Sequence, residues 1–246
     1  MEIEEGSQAS KDQLSRVLVQ GEITSPELIP QGSNDTFLVS VSDGLKTCDA
    51  VYKPRRGERP LWDFPSGTLY MREYAAYLVS QALSWDFIPC TVIREGPYGI
   101  GSLQEFIDTV PQSSYFTLRE ECPKELERIA LFDCLSNNAD RKASHCLKDW
   151  GGRIWSIDHG LTFHQDPKLR TVIWDFAQEP IPDHLIKQVA KLLENLYSLE
   201  DLTQELNTLL APEEIAALRR RLERLLSTGH FPAYDPNRRN VPWPWF

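Results

Sequence analysis

Two aspartates, Asp140 and Asp158, each follow an apolar stretch and stand in a short polar segment, residues 137–141 and 157–160 respectively. If the chain between them forms a β-hairpin, both carboxylates lie at the same end of it. One carboxylate can then accept a proton from a reacting hydroxyl while the other binds a metal ion. Phosphoryl transfer requires these two roles, because its catalysis rests on positioning and on neutralising charge.

An element that would position each acid precedes it in the sequence. Apolar residues at helical spacing predict one helix over Leu118–Leu135 ahead of the first acid. Asn and Asp favour bonds to their own backbone over helix continuation, so the chain is expected to enter a loop at Asn137. An ordinary polar helix C-cap is the alternative. A turn over Asp149–Gly152 and a strand over Ile154–Ile157 are predicted to lead to the second acid.

A lysine upstream, Lys53, stands at the end of an apolar strand. If it points inward it needs an anionic partner, and Glu73, on a helix predicted over Leu69–Leu83, is the obvious one. Such an ion pair is a device for holding nucleotide phosphates. The alternatives are an exposed edge-strand lysine and a solvated Glu73 beside Arg72.

A turn at Gln31, Gly32 and Ser33 precedes the strand predicted over Phe37–Val41. Backbone N–H groups exposed in such a turn can hold phosphate oxygens. The turn has one glycine, so an ordinary hairpin is the competing interpretation.

The remaining elements place strands before helices, which indicates an α+β fold. A loop is predicted over Pro54–Gly67, and the Pro-rich tail Val241–Phe246 is expected to be extended. The other predicted strands are Leu14–Leu18, Cys48–Lys53, Thr91–Arg94 and Gly99–Leu103, and the later helices are Pro182–Leu199 and one from Pro212 to near Gly229.

Composition excludes several classes of function. With 246 residues the chain can form one large domain or two small lobes. A net charge of −10 and a pI near 5.0 argue against binding nucleic acid or anionic membranes. Five scattered cysteines indicate reduced thiols, and an acidic, polar N-terminus is not a signal peptide. No apolar run is long enough to span a membrane, so a cytoplasmic protein is expected.

The motifs, taken in order, resemble the phosphatidylinositol 3- and 4-kinase-like superfamily. The local motifs are most similar to those of type II phosphatidylinositol 4-kinases and HipA-like kinases, and to a small actinobacterial-type group. The resemblance covers about residues 28–163. Its parts are a phosphate loop and strand (31–39), a lysine strand (51–54), a partner helix and next strand (72–89), an adenine-binding hinge (101–107), a catalytic helix and loop (126–141) and a metal-binding aspartate motif (157–160).

This resemblance implies a bilobal protein-kinase-like fold as a single domain over residues 1–246, with an N-lobe of about 12–106 and a C-lobe of about 107–246. It implies ATP with Mg²⁺ or Mn²⁺. Gln31, Gly32, Ser33 and Lys53 would contact the phosphates, Glu73 would orient Lys53, backbone groups of Gln104, Glu105 and Phe106 would bind adenine, Asp140 would be the base, and Asp158 would hold the metal.

Three departures from the family pattern qualify this prediction. His145 stands where a metal-binding Asn is usual, so it binds metal, leaves Asp158 to do so alone, or marks lost activity. Asn34 and Asp35 occupy the place of a second phosphate-loop glycine, and Asp35 would repel a triphosphate unless a metal bridges them. The cysteine-rich insert of the type II lipid kinases is absent.

The sequence therefore predicts an ATP-dependent phosphotransferase acting on a hydroxyl of a protein or small molecule rather than of a lipid. The alternatives are a catalytically impaired nucleotide-binding scaffold and an enzyme that transfers AMP. Neither the acceptor nor the oligomeric state can be read from the residues.

Overall fold

The computed structural model describes residues 12–30, 32–198 and 201–246. These residues form two compact units. The first contains the described residues up to Tyr77 together with Pro89–Ile107, and the second contains Leu78–Ile88 and Asp108–Phe246.

An antiparallel five-stranded sheet forms most of the first unit. Its strand order is β1-β2-β3-β5-β4, and every neighbouring pair is antiparallel. The strands predicted from alternation and turn residues are present with slightly longer bounds. The strands are β1 (Glu22–Ile29), β2 (Thr36–Ser42), β3 (Thr47–Pro54), β4 (Thr91–Gly96) and β5 (Gly99–Glu105).

The strand predicted over Leu14–Leu18 is wrong, because residues 12–20 form a helix, α1. Leu14, Val17 and Leu18 repeat at the spacing of one helix face, which a five-residue apolar run does not separate from a strand. Val17 and Leu18 are fully buried in one cluster with residues of β2, β3, β4 and β5. The helix therefore covers a face of the sheet that would otherwise be exposed to water.

Helix α2 (Leu69–Ala82) follows the loop after β3, as predicted. A short 3₁₀ turn, Arg55–Gly57, begins that loop. The Glu58 carboxylate accepts a hydrogen bond from the N–H of Tyr70, in the first turn of α2, at 2.9 Å. This bond satisfies one of the N–H groups that a helix start leaves unpaired.

The single helix predicted over Leu118–Leu135 is also wrong, because two helices cover this part of the chain. They are α3 (Tyr115–Leu118) and α4 (Pro123–Ser136). Proline lacks an N–H and clashes with the preceding turn, so it is tolerated in the first turn of a helix and not in its interior. Pro123 therefore begins the second helix.

The second unit contains three further helices: α5 (Asp183–Tyr197), α6 (Asp201–Leu209) and α7 (Pro212–Thr228). Helix α7 packs against α4, α5 and α6. The first and third were predicted; Leu199, the predicted end of the first, lies outside the described residues. Helix α6 was not predicted, since nine residues show the helical period only briefly. The α7 helix ends at Gly229, whose φ of 63° is readily adopted by glycine.

A small hairpin follows α4, as the spacing of the two aspartates predicted. Strands β6 (Cys146–Lys148) and β7 (Ile154–Ser156) are antiparallel, and Cys146 faces Ser156 in the register. The C-terminal tail is not helical, and its Trp245 carbonyl accepts a hydrogen bond from the N–H of Ala143 at 2.8 Å. The fold is thus an N-terminal antiparallel sheet followed by a mostly helical region.

All five cysteines lie among the described residues and carry free thiols. Among the helices of the described chain, none has the length and apolar character needed to cross a membrane.

Gly101 allows β5 to approach the strand that carries Lys53. A methyl group at Gly101 would lie 2.4 Å from the Lys53 carbonyl oxygen, which belongs to the backbone and cannot move away cheaply. Gly101→Ala is expected to lower the free energy of unfolding by about 1–3 kcal/mol, measured by urea denaturation. In Gly151→Ala the closest group would be the Asp149 side chain at 3.2 Å. The free energy of unfolding of this control should therefore fall much less. Equal losses in the two variants would contradict the explanation.

Candidate functional site

Lys53 and Glu73 form the predicted ion pair within the first unit. Lys53 Nζ lies 2.5 Å from Glu73 Oε1. Glu73 is 3% exposed and Lys53 24%, so the alternative of a solvated Glu73 is wrong. Burial on the glutamate side strengthens the attraction and fixes the position of the ammonium group.

The predicted phosphate loop connects β1 and β2 and is bonded to the 3₁₀ turn after β3. The N–H of Asp35 donates to the Gly57 carbonyl at 3.0 Å, and the Asn34 side-chain oxygen accepts from the N–H of Arg59 at 2.9 Å. Gly32 has a φ of 105°, and Ser33 is exposed. Gln31 lies outside the described residues. The loop therefore exposes Gly32 and Ser33 to solvent, while the Asn34 side-chain oxygen is already hydrogen-bonded to Arg59.

The predicted adenine hinge lies at the end of β5, where sheet bonding limits what it can offer. The N–H of Glu105 donates to the Cys90 carbonyl at 2.8 Å, and the N–H of Phe106 donates to the Asp49 carbonyl at 3.0 Å. The Gln104 side chain is buried and donates to Thr91. Each carbonyl oxygen has two lone pairs. A backbone hydrogen bond between adenine and Glu105 or Phe106 would therefore use a carbonyl oxygen, not these N–H groups.

In the second unit, helix α4 ends at Asn137 in a left-handed conformation with a φ of 56°. The polar C-cap that was an alternative to a loop is thus present, and the loop follows it. The Asn137 side chain bonds to the backbone of His164, Asp166 and Lys168. Asn138 accepts a hydrogen bond from the N–H of Asp140 at 2.9 Å. Both asparagine side chains therefore stabilise the loop through hydrogen bonds to backbone groups.

Asp140 is the half-buried acid of the loop. Its Oδ2 lies 3.1 Å from the Lys142 ammonium nitrogen, and its side chain is 26% exposed. Burial raises the pKa of Asp140 to about 6, because loss of solvation outweighs the attraction of Lys142, and the nearby charge of Asp158 adds to the rise. A carboxyl group with a pKa near neutrality suits a general base.

Asp158 follows β7 and is more exposed, at 46% of its side chain. Its φ of 60° is uncommon for a residue other than glycine, although Asp and Asn tolerate it best. Backbone strain of this kind often marks a position whose side-chain direction matters. Asp158 Oδ2 lies 3.3 Å from His145 Nε2.

His145 is held between Asp158 and its own turn. Its Nδ1 accepts a hydrogen bond from the N–H of Lys142 at 3.4 Å. Because a backbone N–H can only donate, neutral His145 carries its proton on Nε2 and donates it to Asp158. In this arrangement His145 orients the Asp158 carboxylate, and its role as a metal ligand stays a prediction.

The donor set fits a hard cation held partly by substrate oxygens. In the described part of the chain no group of three or more His, Cys, Asp or Glu side chains could hold a metal ion by itself. Mg²⁺ sites for phosphate transfer commonly use one or two carboxylates together with phosphate and water oxygens. Asp158, exposed and oriented, is suited to be that carboxylate.

A buried ion pair, which the sequence analysis missed, connects the elements around both acids. Asp133 of α4 and Arg141 of the acid loop are both 0% exposed. Arg141 Nε lies 3.1 Å from each Asp133 oxygen, and Nη2 lies 3.0 Å from Oδ1. Burial alone would lower the pKa of Arg141, but the Asp133 carboxylate raises it above its ordinary value. The guanidinium therefore stays charged.

The same guanidinium reaches the chain just before Asp158. Arg141 Nη1 donates to the Ile157 carbonyl at 2.7 Å, and Nη2 donates to His159 Nε2 at 2.8 Å. Asp133 also accepts from Asn138 and Thr171 at 2.9 and 3.1 Å. The one available sequence signal was a carboxylate, Asp133, within the apolar residues of a helix.

Arg141→Met is expected to lower the free energy of unfolding by about 3–5 kcal/mol, because it leaves the Asp133 carboxylate buried without its cation. Denaturation in urea provides the measurement. Arg128→Met on α4 is the matched control, since Arg128 is 39% exposed and 3.8 Å from Glu125. The free energy of unfolding of that control should fall by no more than about 1 kcal/mol. A loss in Arg141→Met as small as in the control would show that the pair does not hold the loop.

Three solved structures similar to this chain are structures of kinases. The crystal structure of the Golgi casein kinase matches 90% of this chain and 75% of its own, with a TM-score of 0.53 and 17% identity. The same kinase with Mn/ADP bound matches 94% and 81%, with a TM-score of 0.54 and 16% identity. The Helicobacter pylori proinflammatory kinase CtkA matches 86% and 94%, with a TM-score of 0.53 and 10% identity. Such low identities show the fold alone, which is kinase-like.

No family model matches the chain. Among curated proteins, Protein Rv2133c of Mycobacterium tuberculosis is 40% identical over an alignment of 272 positions that covers 96% of this chain and 96% of that protein. Identity at this level over nearly the full length of both proteins shows common descent. The kinase-like chain described above belongs to the same family as Protein Rv2133c.

Proposed function

We propose that this protein is an ATP-dependent phosphotransferase that moves the γ-phosphoryl group of ATP to a hydroxyl of a protein or small molecule. The observation that carries the proposal is the difference between two carboxylates attached to one hairpin. Asp140 is half-buried, with its pKa raised to about 6, whereas Asp158 is more exposed and oriented by His145. Environments that separate two acids in this way assign them different roles.

In the proposed reaction the acceptor oxygen attacks the γ-phosphorus while its proton passes to Asp140. The bond from the γ-phosphorus to the bridging oxygen breaks, and ADP leaves with the electron pair. Lys53, held by Glu73, neutralises phosphate charge, and Gly32 and Ser33 offer loop N–H groups to it. A Mg²⁺ or Mn²⁺ ion held by Asp158 would neutralise further charge on the phosphates.

The finer family assignment is also a proposal. The ordered motifs support membership of the phosphatidylinositol 3- and 4-kinase-like superfamily, organised as one kinase-like domain. The absent cysteine-rich insert argues for an acceptor other than a lipid. At the hinge, the carbonyl groups of residues 104–106 would accept a hydrogen bond from the adenine amino group.

Loss of either acid should abolish transfer. We expect Asp140→Asn and Asp158→Ala to reduce phosphate gain or ATP loss at least about 100-fold, since each removes a group acting on the reacting atoms. Mass spectrometry of the protein and of candidate acceptors, with ATP and Mg²⁺ or Mn²⁺, is the measurement. Glu121→Gln is the control, because Glu121 is 60% exposed and pairs only with Lys148 in the described chain. Activity that survives both acid substitutions would refute the proposal.

Transfer should also depend on the protonation of Asp140. A base with a pKa of about 6 is lost as the pH falls through 6, so the single-turnover rate should rise between pH 5 and 7. Lys142 lowers this pKa, so Lys142→Met should move the midpoint to higher pH. Lys148→Met is the matched lysine control and should leave the midpoint in place. Because ATP itself titrates in this range, the shift between variants is the deciding readout. An unchanged midpoint in Lys142→Met would exclude Asp140 as the titrating base.

The contact between His145 and Asp158 favours one second candidate, a protein that binds nucleotide without transferring phosphate. If Asp158 is bonded mainly to His145, it holds a metal less well than a solvated carboxylate would. The same assay separates the candidates. Thermal stabilisation by ATP and metal, with no mass increment and no change in His145→Asn, would support the second candidate. An AMP increment would indicate nucleotidyl transfer.

A further inference from the structure

The first unit contains a cavity of about 600 Å³ that the proposed reaction does not use. It lies where three segments meet: the 3₁₀ turn after β3, the end of the loop before α2, and the turn between β4 and β5. Cavities of this size hold small organic molecules. Among the residues that line it are Arg55, Arg56, Glu58, Ser66, Gly67 and Tyr98.

Two adjacent arginines, Arg55 and Arg56, make the cavity cationic. Within the described chain neither guanidinium forms an ion pair or donates a hydrogen bond. This is unusual in a chain whose formal net charge is −10. An arginine carries five N–H donors, so the two together offer many unused donors to whatever enters.

Arg55 and Arg56 are exposed, and each has a packing contact instead of an ion pair. The Arg56 guanidinium lies 5.7 Å from the centre of the Tyr98 ring, a cation–π distance, and that ring stacks on Phe37. Arg55 lies against Gly67, where a methyl group would come within 2.7 Å of Arg55 Nε. Neither cation has an ion pair that an incoming anion would have to break, and Glu58 is the one acidic residue among those that line the cavity.

The cavity also contains an acceptor that lacks a donor. Glu58 uses Oε1 to accept the N–H of Tyr70, but its Oε2 is buried and has no hydrogen-bond partner in the described chain. A buried carboxylate oxygen in this state is costly. A ligand hydroxyl would relieve that cost once the Glu58 side chain turns Oε2 toward the cavity, which the Ser66 hydroxyl also lines.

We propose that this cavity binds a small phosphomonoester that carries hydroxyl groups, such as a sugar or polyol phosphate. The phosphate lies between Arg55 and Arg56, whose forks match its oxygens, and a hydroxyl donates to Glu58. The volume exceeds that of inorganic phosphate, so this ion would fill only part of the cavity. The proposal stands on the first unit alone and does not depend on phosphotransfer.

The test is a titration of the full chain, without nucleotide or metal, with ribose 5-phosphate and separately with inorganic phosphate. The amide signals of Gly67 and Gly99, two glycines that line the cavity, are followed by NMR. Saturable shifts are expected with both probes, and at lower concentration with the ester. Arg55→Gln/Arg56→Gln should weaken ester binding at least about tenfold.

Two single variants serve as controls and should bind the ester within about twofold of the unaltered chain. Arg59→Gln removes a neighbouring arginine that does not line the cavity, and Lys53→Met removes the proposed nucleotide-phosphate contact. Three results would overturn the proposal: no saturable shift, an equal loss in Lys53→Met, or complete displacement of the ester by ATP. The last two would assign the anion to the nucleotide site.

Discussion

The buried pair of Asp133 and Arg141 is the interaction on which the acid-bearing region depends. Removing two charges from water is expensive, and an ion pair compensates for that cost only when its remaining donors and acceptors are also satisfied. Here Asn138 and Thr171 donate further hydrogen bonds to the Asp133 carboxylate. The Ile157 carbonyl and His159 accept hydrogen bonds from the Arg141 guanidinium. Each side-chain nitrogen of Arg141 and each carboxylate oxygen of Asp133 has a partner, so a change in any one of these elements would leave a buried polar group unpaired.

That constraint explains how two acids on different segments can keep different environments. Arg141 directly follows Asp140, and its guanidinium binds the carbonyl of the residue before Asp158. One side chain therefore fixes the backbone at both acids. Asp140 is then held where burial raises its pKa and Lys142 moderates the rise, while Asp158 projects from a strained backbone toward solvent and His145. The proposed division into base and metal ligand follows from these environments, not from the residue type, which is the same.

The sequence revealed those parts of the site that depend on local pattern. Strand alternation predicted that Lys53 ends a strand, and the helical period predicted that Glu73 lies on a helix. Polar residues after an apolar helix predicted that Asp140 lies in a loop. It did not reveal the role of Arg141, because that role depends on burial created by residues far away in the chain, such as Ile157 and Thr171. The errors at α1 and at Pro123 have local causes. A five-residue apolar run fits either period, and the helical spacing of apolar residues continues past Pro123 although a proline begins a new helix there.

The basic residues near the end of β3 are held in two different ways, and the difference bears on what each can bind. Lys53 is paired with a carboxylate that is 3% exposed, so its position is set by charge and any phosphate must share it with Glu73. Arg55 and Arg56 are positioned by a glycine surface and an aromatic ring. An anion can therefore bind both guanidiniums without breaking an ion pair, so its affinity is not reduced by the free energy of breaking one. A cation held by charge suits a fixed catalytic position, whereas cations held by packing suit a ligand that must enter and leave.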